Sequence, residues 1–332
     1  MPKWNGSKIQ RRRKRVYPKG EMFKLPHTPS PQAEVHELAD FAELQCWNNG
    51  STSRREIIAD LGRVDDNDNN IGCDDDDDEN SDFLDEVMIE IERRESACGS
   101  GYPFKLDLEG TVLRFDKDNS GHRSIVYRYL LLSTRLNMKD DRVQSGVDGS
   151  LLLEEISAQV LKNYLGTTRA RSFILGTSST GKFPDKVTAL CRELREGTEF
   201  RTLDDAAVNA NDDKLDAVAW VPFSDLLPGQ LIVFGQCKTG STWGGLLTQL
   251  QPETFIKRWM RDPILVTPIR AFCISEAANR SRWSGTCLAA GMLLDRCRLV
   301  DFCDNLPPDL LDRVSRWTAT AREEVRKKML GG

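Results

Sequence analysis

LDAVAWVPF (residues 215–223) and LIVFGQCKTG (residues 231–240) decide the reading of this chain, since both are short apolar runs with the length and composition of neighbouring strands. Successive side chains of a strand point to opposite faces, so Gln236 and Lys238, two positions apart, share one face. With Asp216 at the start of the first run, a carboxylate, an amide oxygen and an ammonium are expected to converge. That donor set suits a hard divalent cation beside a phosphate, because Mg²⁺ prefers oxygen ligands and keeps positions for water and phosphate oxygens.

Upstream, LLLEEISAQVLKNYLG (residues 151–166) has helical periodicity. At 100° per residue, Leu153, Ile156, Val160, Leu161 and Tyr164 form its buried stripe. Glu154 borders that stripe and Glu155 points away, so Glu154 is the acid expected to reach an interior site. RSFIL reads as a strand, and PDKVTALCRELREG as a helix opened by Pro184 and stopped by Gly197. Beyond the two central runs, TWGGLLTQLQPETFIKRWM reads as broken helix, PIRAFCIS as a strand, SRWSGTCLAAG as a helix and MLLDRCRLVDF as a strand. A long amphipathic helix with a basic last turn follows. The stretch 123–332 is therefore expected to be a mixed α/β domain with helices on both faces of its sheet.

The remainder divides differently. Residues 1–31 are basic, proline-containing and poor in apolar residues, and read as a flexible tail. Residues 32–122 read as a helical, winged-helix-like module: AEVHELADFAELQCW; SRREIIADLG, with Ser53 and Glu56 spaced as a capping box and Gly62 as its stop; SDFLDEVMIEIERRESACG; and a hairpin turning at Glu109 and Gly110. An acidic loop over 63–80 is expected within it. Its third helix carries Asp82, Asp85, Glu86, Glu90, Glu92 and Glu95, a face that repels phosphate, so docking suits it better than groove reading.

Composition narrows the chemistry. The 332 residues are 39% hydrophobic and 29% charged with a formal charge of −5, a globular composition. No run approaches the ~20 apolar residues of a membrane span, so a cytoplasmic protein with no membrane association is expected. The nine cysteines never form CxxC, and read as buried thiols rather than a disulfide framework or zinc site. Histidine occurs only at His27, His36 and His122. Imidazole-based nucleases and Ser/His or Cys/His triads are thereby disfavoured for a site in the second half, leaving carboxylates and lysine.

Three motifs compete with this reading. GTSSTGKF (residues 176–183) approaches a P-loop, yet Phe183 stands where Ser or Thr would bind Mg²⁺ and Pro184 removes a backbone donor. A nucleotide sensor built on Gly176–Lys182 is the alternative it supports. DKDNSG at Asp116 has Tyr127 where a calcium loop needs Glu, and DNDNNIG at Asp66 lacks the required glycine; both read as polar loops. Trp220 and Trp243 could stack on bases, but core packing is the simpler assignment.

The order helix with Glu154, strand with Asp216, strand with Gln236 and Lys238, then helix, resembles the PD-(D/E)XK superfamily of restriction-endonuclease-like nucleases over residues 124–303. The proline of the family signature is Leu215 here, and its second acid is Gln236, a QxK variant. The resemblance implies Asp216, Gln236 and Glu154 as ligands of Mg²⁺ or Mn²⁺, Lys238 as the residue assisting the attacking water, and hydrolysis of nucleic acid, DNA before RNA, in restriction or antiphage defence. It equally admits an inactive fold that binds nucleic acid or protein. The N-terminal module would position substrate or a protein partner, and self-association is open.

Overall fold

A computed structural model describes residues 22–30, 32–61, 75–177, 179–201 and 213–330, with backbone alone for 75–83 and 329–330. Of the tail expected over 1–31, residues 1–21 and 31 lie outside the described residues, as do Gly62 and residues 63–74 of the expected acidic loop. The rest is no free tail, since Phe23 and Leu25 are buried in the core and the Leu25 N–H donates to the Arg135 carbonyl at 2.8 Å. The first half runs α1 (Val35–Asn49), β1 (Ser51–Ser53), α2 (Arg54–Asp60), α3 (Asp75–Cys98), β2 (Phe104–Leu106) and β3 (Val112–Phe115). β1, β3 and β2 form a small antiparallel sheet in that order. The Ser53–Glu56 capping box is present, with each residue's side chain accepting from the other's backbone N–H. The β2–β3 hairpin turns through Gly110 at φ +65°, a conformation glycine adopts without cost.

The second half runs α4 (His122–Arg135), a short hairpin of β4 (Val143–Gln144) and β5 (Val147–Asp148), α5 (Gly149–Leu165), β6 (Arg171–Ile174), α6 (Phe183–Leu194), β7 (Ala217–Val221), β8 (Leu231–Lys238), α7 (Pro252–Trp259), β9 (Ile269–Ile274), α8 (Trp283–Ala290), β10 (Met292–Leu294), α9 (Arg296–Asp301) and α10 (Pro308–Leu330). Five strands form a mixed sheet in the order β10-β9-β8-β7-β6, antiparallel among β6, β7 and β8 and parallel among β8, β9 and β10. Strand alternation sorts its side chains. Ala217, Ala219, Val233 and Cys237 join the core under α4, α5 and α10, whereas Val218, Trp220, Ile232 and Phe234 pack with Val187 and Leu190 of α6 and Phe255 and Trp259 of α7. The fold is thus mixed α/β with helices on both sheet faces. One hydrophobic cluster runs from Phe23 to Val325 and crosses residue 122 without a break.

Four further sequence expectations need correction. α3 begins at Asp75, inside the stretch expected as an acidic loop, because acidic residues in a first turn complement the positive end of the helix dipole. The expected strand over MLLDRCRLVDF stops at Leu294, where Asp295 caps α9 by accepting the Arg298 N–H. α6 ends at Leu194, with Arg195 in the left-handed region, before Gly197 is reached. Tyr164 is half exposed and packs edge-on against Phe302, while Leu153, Ile156, Val160 and Leu161 are buried as expected.

The interior between α1, α3, α4 and α9 is ionic. Asp40 is fully buried, and its two oxygens meet three fully buried arginines: Arg94 at 2.7 Å, Arg135 at 2.6 Å and Arg296 at 2.8 and 3.0 Å. Glu43 takes Arg94 at 2.9 Å and the hydroxyls of Tyr102 and Tyr127 at 2.9 and 2.8 Å. Glu90 adds a 2.8 Å bond to Arg94, and Glu37 and Glu276 each accept from Arg135 at 3.0 Å. Burial pushes the Asp40 carboxyl up, but Arg296, Arg135 and Arg94 outweigh it and hold the group well below 3.8.

Removing one partner from such a network leaves buried charge uncompensated. Asp40→Ala is expected to destabilise the protein by about 3–5 kcal/mol in urea titrations at neutral pH. A folded-state value depressed below 3.8 means that Asp40's contribution is complete above that pH and is lost as pH falls through the depressed value. Asp40→Asn should therefore flatten the fall of stability below about pH 4.

Candidate functional site

Asp216 stands one residue before β7, at the end of the sheet where β8 finishes in Lys238. Its N–H donates to the Gly235 carbonyl at 2.9 Å, and its Oδ2 accepts the Cys237 N–H at 2.6 Å. The carboxylate is thus bound to the backbone of β8 between Gln236 and Lys238, and it takes a strand N–H as a capping group would. Gln236 is fully buried. Its Nε2 donates to Gln249 Oε1 at 3.4 Å, and its Oε1 is buried with no hydrogen-bond partner among the described residues. Lys238 is partly buried, and its ammonium has no hydrogen-bond or ion-pair partner among the described residues.

Glu154 approaches the same end of the sheet from α5 and is 7% exposed. Its Oε1 accepts the Thr177 hydroxyl at 3.1 Å, and a Cβ placed on Gly176 would lie 2.4 Å from its Oε2. Gly176 in turn donates its N–H to the Asp216 carbonyl at 2.9 Å. The loop that ends β6 therefore couples Glu154 to the backbone of Asp216. Glu155 points away, as expected, into a bidentate pair with Arg313 at 2.7 and 2.6 Å.

Strand alternation adds a feature that periodicity alone did not reveal. The odd-numbered positions of β8 face α5, where Gly235 lies against Leu161, and the even-numbered ones face α6 and α7. Gln236 and Lys238 share the even parity, so they project from the sheet face opposite the one that α5 and Glu154 cover.

Lys186 was missed in the sequence. It is 8% exposed, and its ammonium donates to the carbonyls of Leu175 at 3.3 Å and Gly176 at 2.8 Å, fastening the loop that holds Glu154. The available signal was its spacing of four from Leu190 and eight from Leu194, which puts it on the buried stripe of α6.

The remaining candidates separate cleanly. Lys182 is exposed at the entrance to α6, Phe183 is buried against Trp259 at 5.0 Å, and Gly176 and Thr177 at the start of this stretch contact Glu154. Asp213 accepts the Trp259 indole N–H and pairs with Arg258, while Asp212 lies outside the described residues. Trp220 is core at 1% exposure, and Trp243 is only partly buried. Arg94 of α3 is fully buried and Arg93 is bidentate to Glu90 at 2.7 Å, so neither balances the outward acids Glu86 and Glu92. The eight described cysteines are free, and burial pushes the Cys46 and Cys191 thiols up to about 12.

Among the described residues no three His, Cys, Asp or Glu side chains gather to hold a metal. Any oxygen set here consists of two carboxylates, from Asp216 and Glu154, with the amide oxygen of Gln236. No helix among the described residues is long and apolar enough to cross a membrane. Searches of protein-family models, curated proteins and solved structures find no match to this chain.

The contact between Gly176 and Glu154 leaves no room for a methyl group. Gly176→Ala is expected to displace Glu154 and to destabilise the protein by about 1–3 kcal/mol. Adding Glu154→Ala should recover part of that loss, giving a favourable coupling energy in a double-mutant cycle of thermal denaturation; strict additivity would contradict the contact.

Proposed function

We propose that this protein is a metal-assisted phosphodiester hydrolase acting on nucleic acid, with DNA as the first substrate to test. The observation that carries the reading is the end of β8, where the Asp216 carboxylate, the buried Oε1 of Gln236 and the ammonium of Lys238, the last two without a partner among the described residues, follow one another along neighbouring strands. A buried acceptor without a partner costs free energy, and a hard cation is a ligand that would use it. The element order of the restriction-endonuclease-like resemblance supports the same reading, as α5 with Glu154, Asp216 with β7, β8 with Gln236 and Lys238, then α7.

Asp216 and Gln236 would hold Mg²⁺ or Mn²⁺ from the β7–β8 side, and Glu154 would contribute from α5 through the Gly176 junction. The cation, when bound, supplies stabilisation of charge on the scissile phosphate and a polarised water. Lys238 orients that water by donating from an ammonium that no other described side chain occupies, and it offsets the charge developing on the phosphate oxygens. Glutamine brings an oxygen without a charge, so the site should bind its cation more weakly than a site with two acids on these strands.

Cleavage of plasmid and oligonucleotide DNA and of RNA, each with Mg²⁺ or Mn²⁺, tests the proposal. Lys238→Ala and Asp216→Ala are expected to lower the rate about 100-fold or more. Gln236→Glu should cut at lower metal concentration than the parent. Variants that cut as well as the parent overturn the site assignment. Nucleic-acid binding without cleavage under any metal would favour the inactive binding fold.

A further inference from the structure

Beyond the carboxyl ends of the parallel strands β8 and β9, a groove of about 740 Å³ opens between Ser241, Trp243, Glu276 and Asn279 on one side and Gln32 and His36 on the other. Its size suits a small organic group, and in open α/β sheets this end is where ligands sit. Ser241 lies three residues past Lys238, a reach of at most roughly 10 Å, about three nucleotide steps at the ~3.4 Å rise of one strand.

Trp243 packs against the core cluster of Phe272, Ile274 and Leu293 and is only partly buried there. Its indole N–H donates to Glu276 Oε2 at 2.7 Å, and Glu276 is held through its other oxygen by Arg135 at 3.0 Å. The ring packs against Phe272 with centroids 6.3 Å apart, yet it remains partly exposed to the groove. Gly244 and Gly245 follow, and nothing lies within 4 Å of where their Cβ atoms would stand. Ser241, 6% exposed in the groove wall, carries a hydroxyl with no hydrogen-bond partner among the described residues. Arg282 lines the groove with its guanidinium paired to Glu34 at 2.9 Å, while Arg280 lies over the ring of Trp283.

We propose that this groove is a nucleobase subsite, in which an unpaired base near the phosphate handled at Lys238 stacks on Trp243 and presents its polar edge to the Ser241 hydroxyl. The assignment rests on the nuclease reading above and adds to it a substrate class, nucleic acid with an unpaired base near the cut. A ring fixed along one edge and partly exposed to the groove suits a base, because every base has a π-face.

The test uses the full chain in EDTA, so that nothing is cut, with a single-stranded oligonucleotide carrying 2-aminopurine and a blunt duplex of the same sequence. Trp243→Ala is expected to weaken single-strand binding about tenfold or more and to abolish the 2-aminopurine fluorescence change, while Trp243→Phe keeps most of both. Duplex binding should be nearly unaffected. Unchanged single-strand affinity and fluorescence in Trp243→Ala overturn the subsite, as does an equal loss on single strand and duplex, which marks a structural role. Cleavage by the parent that persists alongside either result leaves the nuclease reading standing; a parent that neither binds nor cuts sinks both.

Discussion

Everything in this molecule is arranged around one carboxylate that has no access to water. Asp40 sits at the meeting point of α1, α3, α4 and α9, and each of the other three helices sends one arginine to it. Three buried guanidinium groups would be untenable without acids, and α1 supplies them at positions 37, 40 and 43, one turn apart on a single helix face. An apolar core tolerates small rotations of its helices, but a bidentate guanidinium does not. The network therefore fixes angles and registers, and through Arg135 and Glu276 it reaches Trp243 beyond the end of the central sheet.

The central sheet changes direction at β8, and the candidate site is a product of that change. Antiparallel pairing brings the start of β7 beside the end of β8, while parallel pairing sets the ends of β8 and β9 side by side. One end of the sheet thus carries Asp216, Gln236 and Lys238, the loop with Gly176, and the groove beyond Ser241. Glu154 approaches that end from the opposite face through its contact with Gly176.

The parts of this arrangement that obey a short period were readable in the sequence. Residues two apart on β8 share a face whatever the fold does, and helical periodicity distinguished Glu154 from Glu155 correctly. Tyr164 broke the pattern because the last turn of α5 reaches past the core to Phe302. Long-range constraints were invisible for a different reason. Arg94, Arg135 and Arg296 each look like ordinary charged residues, and their common partner lies 54, 95 and 256 positions away. Lys186 and the early start of α3 were local signals that charge obscured, since a lysine on a buried stripe and a run of aspartates both resemble solvated surface. Asp295 turned an expected strand into a helix with a single cap.

The separation between Asp40 and Arg296 also sets an order of events during synthesis. A ribosome adding roughly 5–20 residues per second needs on the order of 10–50 seconds to travel the 256 positions between them. Until then α1 carries acids whose full set of guanidinium partners does not yet exist, and burying them early would strand negative charge away from solvent. The nascent N-terminal half is thus discouraged from sealing itself prematurely, and Arg296 acts as the latch that permits closure once the sheet has been made. Contacts between residues so far apart must wait for a long loop to close, so the last arm of the Asp40 network is set by the end of the chain rather than by its beginning.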